Sequence, residues 1–76
     1  MKLNMYTFRD DAAQSYGQPF FQHNDGLATR LFADLVNDKS PNAGYMSTHP
    51  HQFSLVKLGE YDDKTGIVTM LSEGPL

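Results

Sequence analysis

The sequence predicts an α+β fold in the order β-α-β-β: one helix packed on a small three-stranded sheet with a C-terminal β-hairpin. Three observations predict it. Residues 2–9 alternate β-forming side chains, residues 27–36 carry an apolar stripe at helical spacing, and two β-rich runs flank Asp62-Asp63-Lys64-Thr65-Gly66 near the end.

In the first run, Leu3, Met5 and Thr7 fall on one face and Tyr6 and Phe8 on the other, so both faces of that strand have apolar character. Asp10-Asp11 ends it. Tyr16-Gly17-Gln18-Pro19 reads as a turn or extended segment, because Pro19 disfavours helix at Gln18. Asn24 or Asp25 can cap the helix that follows. Leu27, Ala28, Leu31, Phe32, Leu35 and Val36 form its apolar stripe, opposite Thr29, Arg30, Asp34 and Asn37, which predicts a helix over 25–37. Pro41 prevents its continuation, and residues 39–51 form a long connection of the kind that is usually functional or disordered. Phe53 to Tyr61 is the next strand, and Ile67 to Leu71 returns after a turn in which Gly66 suits a left-handed position. The hairpin strands are antiparallel. The first strand is expected either parallel to the second through a right-handed crossover or antiparallel to the third. Residues 1–76 form one domain, with 72–76 a frayed tail.

A chain of 76 residues buries only ~60% of the surface it exposes when unfolded, so its core is marginal. It has no cysteine, hence neither disulfides nor thiolate metal sites to reinforce that core. Self-association is the remaining route, and a homodimer covering the second sheet face or an edge is expected. No apolar run approaches the ~20 residues of a membrane span, and no membrane partner is expected. Net charge is −3, and the bases Lys2, Arg9, Arg30, Lys39, Lys57 and Lys64 are scattered. That is a poor footprint for strong nucleic-acid binding.

Candidate chemistry is sparse. His49-Pro50-His51, with His23 and Asp25, could be read as metal ligands, but zinc sites show tighter signatures, and loop histidines are the better reading; no metal or cofactor is expected. Asp10-Asp11 and Asp62-Asp63 sit where aspartates serve turns by bonding nearby backbone. Ser15, Ser40, Ser47 and Ser54 lie in no nucleophile frame, and the glycines form no phosphate loop. The reading is therefore not an enzyme. Nine aromatic residues in so short a chain could stack unpaired bases from an open sheet face or fill a core and an interface. Core is favoured for Phe8, Phe32 and Phe53, while Tyr6, Tyr16, Tyr45 and Tyr61 fit either role.

Two blocks carry a family resemblance. Tyr16-Gly17-Gln18-Pro19-Phe20-Phe21 leads through Asn24-Asp25-Gly26 into a helix holding Arg30, Phe32-Ala33-Asp34 and then Asn37-Asp38. The other block runs from His49-Pro50 through Phe53-Ser54-Leu55, Gly59, Tyr61 and Asp62-Asp63 to Gly66. Together they resemble the small nonstructural protein of gokushovirus-type microviruses, single-stranded DNA bacteriophages. The resemblance implies a nonstructural accessory protein in viral DNA replication or packaging, acting in the host cell cytoplasm, and it carries over no catalytic residue. Weak single-stranded DNA binding is the first expectation, with Lys2, Arg9, Arg30 and Lys57 meeting phosphates and Tyr6 and Tyr61 stacking on bases. The alternative is a module that binds a phage or host replication protein and touches no nucleic acid.

Overall fold

In a computed structural model, which describes residues 1–40 and 44–71, a nine-residue strand β1 (Lys2–Asp10) forms the spine of a curled antiparallel sheet. On one side it pairs along its whole length with β4 (Phe53–Asp62), and β4 pairs in turn with β5 (Ile67–Met70). On its other side it pairs with two short strands, β2 (Ser15–Tyr16) and β3 (Phe20–Gln22). The main helix α1 (Asp25–Val36) follows β3. A short helix α2 (Tyr45–Thr48) packs beside it, and a 3-10 turn (Pro50–Gln52) leads into β4.

The α+β class, the single main helix and the C-terminal hairpin agree with the sequence reading. The sheet has more than the three strands expected, and neither predicted pairing of the first strand occurs. Strand β1 lies antiparallel to β4, the second of the three strands foreseen. The physical reason is β3. It returns antiparallel to β1 before the helix begins, and α1 then climbs back past Tyr6 and Phe8, because Asp25 meets Tyr6 and Phe32 meets Phe8. That extra reversal makes the next strand descend. The predicted tail at 72–76 lies outside the described residues.

Local chemistry explains the element ends. Asp10 Oδ1 accepts the Ala12 and Ala13 N–H groups (both 3.1 Å), which closes the turn after β1. Gly17 breaks the edge strand in two: its N–H donates to the Phe8 carbonyl (2.8 Å), while its own carbonyl accepts from Thr7 Oγ1 (2.8 Å). Asn24 is the helix cap, its Oδ1 accepting the Leu27 N–H (2.9 Å). In the hairpin turn Gly66 has φ +73°, as its left-handed role predicts. There Asp62 Oδ1 accepts the Lys64 N–H at 2.9 Å, so both aspartate pairs contribute to turns.

Cross-strand partners share a sheet face. Tyr6, Phe8, Phe20 and Leu55 point to the helix, where Tyr6, Ala28 and Leu55 form the core and Phe8, Phe20 and Phe32 pack against it. Phe8 stacks between Phe20 (4.9 Å) and Phe32 (5.6 Å). A bulge between Met5 and Tyr6 is matched by Leu58: Met5 pairs with Gly59 and Tyr6 with Lys57. Because of it, Lys57 turns to the helix face while Gly59 and Tyr61 turn away.

Candidate interaction surface

On the face away from the helix, the bulge brings together Leu3, Met5, Phe21, Tyr61, Val68 and Met70. Leu3 opposes Tyr61, Met5 opposes Phe21 and Gly59, Tyr61 opposes Val68, and Gly59 opposes Met70. The rings of Phe21 and Tyr61 meet across β1 at 5.5 Å. Met5 is buried beneath them, whereas Phe21 (44%), Val68 (47%) and Met70 (62%) remain exposed. None of these side chains is charged. A contiguous apolar patch on so small a chain is the usual mark of a binding surface.

The six residues expected to bind nucleic acid do not gather on that patch. Tyr61 alone belongs to it. Tyr6 is fully buried on the helix side, and its hydroxyl donates to Asp25 Oδ1 at 2.6 Å. Its ring therefore has no open face for a base, a correction to the stacking role expected of it. Burial first, and the Asp25 hydrogen bond second, push the Tyr6 pKa from its ordinary 10 to about 12. Lys57 is likewise engaged, its Nζ 3.3 Å from Asp25 Oδ1 and its side chain mostly covered. Asp25 accepts from both, and the Tyr6 hydrogen bond, followed by Lys57, holds its carboxyl below the usual range. This trio fastens the first turn of α1 to the sheet.

Arg9 shares the open face but sits toward the far end of β1. It reaches Asp11 (3.0 Å) and lies over the Tyr16 ring, 5.0 Å from its centroid. Six positions separate Arg9 from Leu3, about 20 Å at the rise of a strand. Lys2 projects to the helix side and lines a groove with Glu60 and Asp62. Arg30 is exposed on α1, and among the described residues no ion pair joins it to Asp34. The four bases thus point in different directions, and acids accompany Lys2, Arg9 and Lys57.

Sequence reasoning singled out Pro19-Phe20-Phe21 and Arg30 as a candidate shared surface but missed Val68 and Met70. Of that segment Phe21 alone reaches the patch, because adjacent residues of a strand face opposite sides and Phe20 packs toward the helix. Among the described residues no group of three or more His, Cys, Asp or Glu side chains could hold a metal ion. Among the described residues no helix is long and apolar enough to cross a membrane.

Fold and surface together define a small α+β domain whose helix packs on one sheet face while the other presents an apolar patch. The chain belongs to the family described as Phage ORF5 protein, whose model matches residues 3–75. It is a phage protein. No curated protein and no solved structure matches it.

Proposed function

We propose that this phage protein is an accessory factor that works by holding another protein, of phage or host origin, against its open sheet face. The observation that carries this reading is the uncharged patch of Phe21, Tyr61, Val68 and Met70, which offers apolar contact and nothing for a phosphate. The resemblance to gokushovirus-type microviruses supports a setting in viral DNA replication or packaging in the host cytoplasm, where a replication protein is the fitting partner. An acidic chain with dispersed bases suits a protein partner better than a polyanion.

A second reading, weak single-stranded DNA binding, is favoured by one observation: the Phe21 and Tyr61 rings stand side by side on an exposed face, where a base could stack. The two readings separate by photo-crosslinking in infected cells with a photoreactive phenylalanine at position 21. A discrete protein adduct is expected. Adducts to DNA alone would transfer the patch to the second reading, and none at all would remove both.

A further inference from the structure

The outer edge of β5 carries an inference of its own, whatever the open face binds. Among the described residues no strand pairs with that edge. Ile67, Val68 and Met70 are 61%, 47% and 62% exposed, although their types favour burial. Nothing along the strand blunts it: Ile67–Met70 holds no charge and no proline, the usual devices that keep an edge from pairing.

The phase of the ladder is fixed by the Leu71 N–H, which donates to the Leu58 carbonyl at 2.9 Å. Backbone groups in an antiparallel pair alternate between facing the neighbour and facing away. Leu71 and Thr69 therefore direct their N–H and C=O groups at β4, while Val68 and Met70 direct theirs outward.

We propose that β5 pairs antiparallel with β5 of a second copy of this chain, about a two-fold axis at Thr69. The sequence is self-complementary about that residue. With the axis there, Val68 meets Met70 of the second copy through outward backbone groups, Ile67 meets Leu71, and Thr69 meets Thr69. Apolar faces apolar and hydroxyl faces hydroxyl, as an isologous contact demands. An axis at Val68 would instead set Ile67 against Thr69 and Gly66 against Met70, and an axis at Met70 would set Thr69 against Leu71. The contact also avoids like-charge repulsion in an acidic chain, because Asp62, Asp63 and Lys64 lie beyond the paired residues.

Area sets the strength. A standard interface takes about 800 Å² from each partner. That is a large share of the 5262 Å² this chain exposes, and a four-residue edge with its flanking side chains covers less. The dimer is accordingly weak and concentration-dependent. It joins two open faces into one continuous sheet with two copies of the apolar patch, so any partner held there would be held bivalently.

Thr69 provides the test, since its side chain lies off the open face, which the T69K and T69C variants leave intact. Sedimentation equilibrium at about 100 μM, a concentration suited to weak interfaces, should show a monomer–dimer equilibrium for the unmodified chain. T69K, which sets two ammonium groups against each other, should weaken it roughly tenfold while leaving the circular dichroism spectrum unchanged. Under mild oxidation T69C should cross-link, because non-hydrogen-bonded pairs bring Cα atoms to about 4.5 Å, within disulfide range. A monomer at that concentration would overturn the proposal. So would a dimer that T69K leaves intact and T69C fails to trap, which would place the contact elsewhere. A monomer whose T69K variant loses capture of another phage protein would assign the edge to that protein and overturn it equally.

Discussion

Tyr6 is the residue in which sequence and environment disagree most. Its ring is an ordinary core group against Phe20 and Ala28, yet its hydroxyl ends on a carboxylate that Lys57 also engages. Tyr6→Phe keeps the ring and removes the 2.6 Å hydrogen bond. It should cost about 1.5–3 kcal/mol, the range for a bond to a charged group, read as a lower urea midpoint at neutral pH. The raised Tyr6 pKa adds a pH signature. Because the folded state favours the protonated phenol, this contribution is complete below pH 10 and is lost as pH climbs from 10 toward about 12. Absorbance titration of tyrosinate should show a phenol that ionises near the upper end of that window, and Tyr6→Phe should abolish that step. Asp25 acts in the opposite direction. Its depressed carboxyl contributes above the unfolded value near 3.9, and the contribution disappears as pH falls through the folded one.

At the scale of elements, those with strong periodicity were legible and those without it were not. The stripe from Leu27 to Val36 placed a helix over 25–37, and it spans Asp25–Val36 with Asn24 as cap. The β-branched run after Gly66 and the alternation of residues 2–9 were equally plain. Strands β2 and β3 are two and three residues long and are split by Gly17-Gln18-Pro19, too short for alternation to register. Missing them misjudged the direction of β4, because each unseen reversal flips every later strand. The bulge at Met5/Tyr6 was hidden for another reason: it depends on Leu58 being skipped by the partner strand, a property of the pair and not of either sequence. That bulge decides which residues share the apolar patch, so the site was less legible than the fold. Two substitutions test the elements. Asn24→Ala should cost about 1 kcal/mol through loss of the helix cap. Gly59→Ala should be far more damaging, because a Cβ there collides with the Thr69 carbonyl of β5. It should raise hydrogen exchange across β5 while leaving the amides of α1 protected.

For the whole molecule, the design is a thin one. Among the described residues the buried hydrophobic ones are Met5, Tyr6, Ala28, Leu55 and Val56, a small core. One sheet face carries α1 and its aromatic cluster, while the other keeps Phe21, Val68 and Met70 partly in water. Natural monomers rarely keep such patches without a use. Positive charge is not concentrated beside the patch, so binding to a labelled single-stranded oligonucleotide, followed by fluorescence anisotropy, should be weak at low salt and vanish at moderate salt. Replacing Phe21 and Val68 by serine strips the half-exposed part of the patch; loss of the Phe21 ring from Tyr61 should lower the melting temperature, while the circular dichroism spectrum should stay that of the folded chain.

The most direct measurement is therefore nuclease-treated affinity capture from phage-infected cells, comparing the unmodified chain with the Phe21→Ser/Val68→Ser variant. The unmodified chain should retain a defined phage or host protein after nuclease, and the variant should lose it. Equal retention by both, or release of everything by nuclease, would contradict the open sheet face as the working surface of this protein.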